Sequence, residues 1–202
     1  MSSLQLTNSL KLGFQEIATV AVQQAAANIS KCFSTCVHAP APNIHLIDAM
    51  DVAMTLESIE ASEQVTAVTQ AFLGAGISGE AVLLFTDASM SQLSQLMLER
   101  EAVDDHQQAE LVLEMASLLN GTCIHGICSQ LDIGVMLKHP VLFGQHRLVS
   151  ELLGSDQLPW QKTLAIELNY KFEGLDITCD LLVLFHQDSL ASLFNQLSYL
   201  VD

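Results

Sequence analysis

Hydrophobic and polar positions along this 202-residue chain follow two different periods. From residue 8 to 36 an Ala-rich run carries apolar residues three and four apart, which predicts a long amphipathic helix. The stretch HAPAPN (38–43) breaks it, because Pro40 and Pro42 each bias the preceding residue toward extended geometry. Strands are then predicted at IHLID (44–48), VTAVTQAFLG (65–74) and GEAVLLFT (79–86), and a helix at 88–99. A second long helix is predicted over 104–130, interrupted at Asn120-Gly121, a common helix-ending pair. KTLAIELNYKF (162–172) and ITCDLLVLF (177–185) predict strands, and 188–200 a closing helix. Strands that follow one another through short turns pair antiparallel, and helices then cover one face of the sheet. The expected fold class is α/β (α+β), with long helices packed on one face of a mainly antiparallel sheet.

The pattern occurs twice. Phe72, Gly74, Ile77, Leu84, Phe85, Ser89 and Leu93 recur one hundred residues later as Phe172, Gly174, Ile177, Leu184, Phe185, Ser189 and Leu193. The helices match at an offset of ninety-eight: FQEIATVAV holds Glu16 and Thr19, and VLEMASLL holds Glu114 and Ser117. Thr19 stands twenty-three residues before Pro42, and Ser117 twenty-three before Pro140. Such a period is too long for a solenoid unit. The expected organisation is one domain, 1–202, built from two repeats of about 1–100 and 101–202 and related by a pseudo-twofold axis. Ser89 and Ser189 fall in the first turn of their helices, where capping is expected.

Composition narrows the function. Half of the residues are hydrophobic and 15% are charged, so a large core is expected. The net charge is −16 with seven Lys and Arg, which argues against a nucleic-acid partner, whose phosphates demand clustered cations. It argues equally against anionic membrane surfaces. The clean apolar runs, such as AVLLF (81–85), are strand-sized rather than membrane-sized, and MSSLQLTNSLK has no charged segment leading into an apolar one. Five cysteines without such a leader read as thiols in a reducing cytoplasm. Cys32 and Cys36, and Cys123, His125 and Cys128, lack the tight pairs of zinc ribbons, and the cysteines read as buried helical thiols, so no metal site and no cofactor are expected. GAGISG (74–79) lies between two strands and reads as a hairpin turn, not a phosphate loop. His38 and His139, just ahead of the prolines, read as loop residues.

One charge set in an apolar helix at the same place in both repeats is the feature that calls for a function. Glu, two residues, Asn, about twenty-two residues and Pro is the site motif of the CheC/CheX/FliY family of bacterial chemotaxis phosphatases, and this chain resembles that family over nearly its whole length. The two-copy layout is closer to CheC than to CheX. FliY is a poorer match, because no flagellar surface-presentation domain follows. The resemblance implies a CheY-type response regulator as partner, with a CheD-type deamidase as a second candidate. It implies that Glu114 and Glu16 grip the regulator's active-site Lys, with Glu110 an additional acidic contact, since the family motif opens with an acid or Ser four residues before the Glu. It also implies aspartyl-phosphate hydrolysis, in which the motif Asn orients the attacking water; little covalent chemistry is needed from the protein. Here the Asn position holds Thr19 and Ser117, and Leu12 replaces the opening acid in the first copy. A hydroxyl lacks the second arm of a carboxamide and is shorter by about 1 Å, a misplacement that can cost on the order of 100-fold in rate. Asn120 is a substitute carboxamide, or else a helix-ending residue. Two readings follow: a phosphatase using Ser117, Thr19 or Asn120, and a CheC-like binding module without useful catalysis.

Overall fold

The chain enters its first helix at Thr7, whose hydroxyl accepts the Leu10 N–H at 3.3 Å. The structure, a computed structural model, describes residues 6–48, 51, 63–99, 103–152 and 162–201. Helix α1 spans Asn8–Phe33 and ends at Ser34, which turns into the left-handed region at φ 52°. Strands β1 (Val37–His38), β2 (Asn43–Asp48), β3 (Gln64–Gly74) and β4 (Ile77–Thr86) follow, then α2 (Asp87–Leu98). The same order returns with α3 (Asp105–Gln130), β5 (Val135–Leu137), β6 (Val141–Leu148), the short α4 (Val149–Leu152), β7 (Lys162–Phe172) and β8 (Thr178–His186). A 3-10 turn, Gln187–Ser189, leads into α5 (Leu190–Val201).

All eight strands join one antiparallel sheet in the order β1–β7–β8–β4–β3–β5, with β2 also on β7 and β6 also on β3. The short strands of each series therefore pair with the hairpin of the other. At the centre β4 meets β8 with Val82 opposite Leu182. An antiparallel pair has a local twofold at its middle, and the β4–β8 register is symmetric about it, with Glu80 opposite Leu184 and Leu84 opposite Asp180. The hairpin turn expected at GAGISG is present, with Gly76 at φ +78° where an L side chain would be strained.

Period-two alternation assigns the side chains of the central strands. Leu83, Phe85, Leu181, Val183 and Phe185 lie in the larger core under the helices, where Phe72 and Phe185 meet edge-on at 5.2 Å. Val82, Leu84, Leu182 and Leu184 lie in a second core on the opposite face, together with Leu152 of α4. Both faces are buried, so these strands read as nearly unbroken apolar runs.

Three expectations are corrected. Helix α3 runs from Asp105 to Gln130 without a break at Asn120-Gly121. An Asp104–Gln107 capping box starts it, and the packing of a buried stripe from Leu111 to Cys128 outweighs the roughly 1 kcal/mol that an interior Gly costs. Ser189 does not cap its own helix. Its hydroxyl accepts the Ser78 N–H at 2.7 Å and donates to the Ser78 carbonyl at 2.9 Å, which ties α5 to β4. Ser89 likewise sits inside α2, behind the N-cap Thr86, with its hydroxyl 2.7 Å from that of Thr86. Helix α3 is also long and apolar enough to cross a membrane by composition, yet more than half of its apolar stretch is buried inside this fold.

Candidate functional site

Helices α1 and α3 pack against each other over the sheet. They come close at Gly126, where a Cβ would stand 2.8 Å from that of Ala21. A shared buried side fixes which side of each helix faces out. On α1 the outward side carries Leu12, Glu16 and Val20, four residues apart, with Leu12 65% exposed. On α3 it carries Glu110, Glu114 and Ser117, all exposed. Glu16 and Glu114 therefore both reach solvent, each on the outer side of a rigid helix.

Glu110 and Glu114 border a hollow of about 290 Å³ together with Gln107, Leu111 and Leu98 from the end of α2. Ser117 borders a wider groove of about 750 Å³ that continues past Gly121, His125 and Ser129 to Gly134 near β5, with Gln24 of α1 on its other wall. A Cβ built on Gly121 or Gly134 would meet nothing within 4 Å, so the two glycines leave this groove open to an incoming surface. Residues three and four apart on a helix share one face, which is why Glu110, Glu114, Ser117 and Gly121 form one line.

The hydroxyls that stand where a carboxamide is expected are engaged with their own helices. Ser117 Oγ donates to the Leu113 carbonyl at 3.0 Å, and Thr19 Oγ1 to the Gln15 carbonyl at 2.6 Å. Each spends its only proton there and retains acceptor capacity alone. Asn120 is fully buried, and neither Oδ1 nor Nδ2 has a hydrogen-bond partner among the described residues. It neither ends the helix nor reaches the Glu114–Ser117 face. Pro42 lies against α1, its carbonyl accepting from Gln15 Nε2 at 3.3 Å, so the matched proline is a spatial neighbour of the Glu16 turn.

No protein-family model matches this chain, and no curated sequence does. Solved structures match over most of its length. A FliY from Thermotoga maritima superposes with a TM-score of 0.68 at 17% identity, covering 97% of this chain and 99% of that one. The fold is that of the CheC, CheX and FliY proteins. A CheC-like protein from Shewanella oneidensis MR-1 shares this CheC/CheX/FliY fold with a TM-score of 0.56 at 16% identity, covering 83% of this chain and 96% of that one. A CheX from Borrelia burgdorferi, solved as a CheX–CheY complex with BeF3 and Mg2+, shares it with a TM-score of 0.51 at 10% identity, covering 83% of this chain and 96% of that one. The expectation that FliY is a poorer match is corrected at the level of fold. It rested on a further domain, and the FliY structure is matched over 99% of its length without one.

The cysteines divide. Cys123 and Cys128 are buried thiols as expected, and burial pushes each up to about 12. The expectation fails for Cys32 and Cys36, which are exposed. Cys36 lies beyond the end of α1, beside His38 and Glu173, so neither it nor His38 is an isolated loop residue. Glu173 is far away in sequence, and nothing in the local pattern around KCFSTCVH points to it.

Proposed function

We propose that this chain binds a phosphorylated CheY-type response regulator through the outward faces of α3 and α1, and acts as a binding module rather than an efficient aspartyl-phosphate phosphatase. The observation that carries this reading is the exposure of Glu114 and Ser117 on one line of α3, beside an open groove. They occupy a fold shared with a CheX solved in complex with CheY. Glu114 supplies a carboxylate for a charge-assisted contact with a regulator Lys, with Glu110 one turn earlier. Glu16 offers a second such carboxylate, flanked by exposed Leu12 and Val20. The two series of elements, about 1–100 and 101–202, are copies of one unit within a single domain, which accounts for the paired Glu positions. The site of action is the cytoplasm, where such regulators work.

The engaged hydroxyls of Ser117 and Thr19 and the burial of Asn120 support the non-catalytic form. Orienting a water in line with an aspartyl phosphate asks for a donor and an acceptor held together, and neither hydroxyl offers both while bonded to its helix. The deciding measurement pairs affinity with phosphoryl decay, using a phosphorylated regulator from the same cell. The wild-type chain is expected to bind it and to leave its decay rate unchanged. Glu114→Lys is expected to weaken binding at least about tenfold, equivalent to about 1.4 kcal/mol. Ser117→Asn is expected to accelerate decay. Fast decay with the wild type would instead establish the phosphatase reading, and unchanged affinity in Glu114→Lys would remove α3 from the interface.

A further inference from the structure

Three chemically different ligand groups converge at the β1 edge of the sheet. Cys36 Sγ lies 3.5 Å from His38 Nε2, and the same nitrogen lies 3.8 Å from Glu173 Oε2. All three ligand atoms fall within 4.8 Å of one another. We propose that Cys36, His38 and Glu173 form a binding site for a zinc-type divalent cation.

The backbone explains why they meet. Residues i and i+2 of an extended segment point to the same side, which aligns Cys36 with His38. Strand β1 pairs with β7 in the register Val37 opposite Phe172 and His38 opposite Lys171. One step further places Cys36 opposite Glu173, and there the Glu173 N–H donates to the Cys36 carbonyl at 2.8 Å. The segment is also pinned from below. Val37 is buried, and its N–H donates to Ser30 Oγ of α1 at 2.9 Å. The ligands therefore project from a fixed frame rather than from a free loop.

The distances suit the ion. Bonds of about 2.3 Å to sulfur and 2.0–2.2 Å to nitrogen and oxygen give tetrahedral edges of about 3.3–3.6 Å, and two of the three separations here are 3.5 and 3.8 Å. Thiolate, imidazole and carboxylate are a mixed set that favours zinc-like ions over Mg2+ or Ca2+, which take oxygen ligands. His38 and Glu173 are 65% and 68% exposed, so a fourth position faces solvent and would carry water. On binding, the Sγ–metal bond forms as the S–H bond breaks, and the proton passes to the buffer; His38 enters through a neutral Nε2. The surplus of acidic groups, with a net charge of −16, raises the local concentration of any cation. This edge is opposite to β5, beside which the Ser117 groove lies, so the site is separate from that groove.

The test uses the full chain, tag-free and reduced, titrated with Zn2+ by calorimetry and with Co2+ by absorption. One ion per chain is expected, with a near-ultraviolet thiolate-to-Co2+ charge-transfer band. That band should vanish in Cys36→Ser and persist in Cys32→Ser, the control for an exposed thiol outside the cluster. His38→Gln and Glu173→Gln should each weaken Zn2+ at least about tenfold, since even outer-shell losses cost 10–100-fold. All three side chains are exposed, and circular dichroism checks that the variants stay folded. The proposal is overturned by the absence of a saturable site, by a Co2+ adduct without the charge-transfer band, or by affinities that the three substitutions leave unchanged. Equal weakening by Cys32→Ser would also overturn it, because the effect would then follow thiol number rather than the cluster.

Discussion

Ser117 and Thr19 show how much a single atom decides. Both were legible in the sequence as the positions where a carboxamide is expected. That their protons are already given to the Leu113 and Gln15 carbonyls was not, because side-chain bonding back to the helix depends on rotamer. Asn120 was misread for a related reason. Asn-Gly is a turn pair in isolation, but here the stripe around Leu119 and Cys123 keeps the helix going, and the amide is carried into the core. Gly121, the next residue, faces the groove instead. A Cβ there meets nothing within 4 Å, and a helix-interior Gly costs about 0.8–1 kcal/mol relative to a good helix former. Gly121→Leu is therefore expected to raise Tm by about 2–3 °C while weakening regulator binding, because the side chain fills the groove. Thermal melting and a titration with phosphorylated regulator check the two halves of that statement; a stabilised variant that binds normally would move the docking surface away from this groove.

Among the elements, those with one clean period or an unbroken apolar run were legible: α1, β3, β4, β7, β8 and the helices after each hairpin. Strand β6 was not. Its residues are nearly all of intermediate exposure, so no alternation marks it, and its pairing with β3 shifts register between Val65 and Val68. The irregular strand places His146 at φ 53°, aimed at the starts of two helices. Its Nδ1 is 2.6 Å from Asp87 of α2, and its Nε2 is 3.7 Å from Asp105 of α3. The hydrogen bond to Asp87 raises the His146 pKa, partial burial opposes that rise, and the charges of Asp87 and Asp105 add to it. A His whose folded pKa lies above its unfolded value of about 6.5 stabilises the fold fully below that value, and the contribution is lost as pH rises through the folded pKa. The wild type should therefore lose more stability between pH 6 and 9 than His146→Gln does. Denaturant melts of both proteins across that range measure the difference; parallel curves would mean that the contact carries no linkage. Half-exposure of the imidazole keeps the effect modest.

At the scale of the whole molecule, the acidic balance acts on the fold as well as on its partners. With 23 acidic residues against seven Lys and Arg, compaction works against self-repulsion. Going from 0.01 to 0.15 M salt shortens the screening length from about 30 Å to about 8 Å. Tm is expected to rise over that range, as calorimetry at constant pH would show, and a fall would mean that surface ion pairs outweigh the repulsion. The recurring order of elements was legible at this scale because matched residues kept their spacing. The exchange of short strands was not, since pairing of β2 with β7 and of β6 with β3 leaves no local mark. That exchange, with β4 against β8 at the centre, has a consequence during synthesis. Strand β4 leaves the ribosome about a hundred residues ahead of β8, which at about 5–20 residues per second is a delay of roughly 5–20 s. For that interval the side of β4 that later meets β8 has no partner strand, and an unpaired apolar edge is a template for pairing with other chains. The nascent first half is thus the aggregation-prone stage in the life of this protein, and the stage at which a chaperone has most to protect.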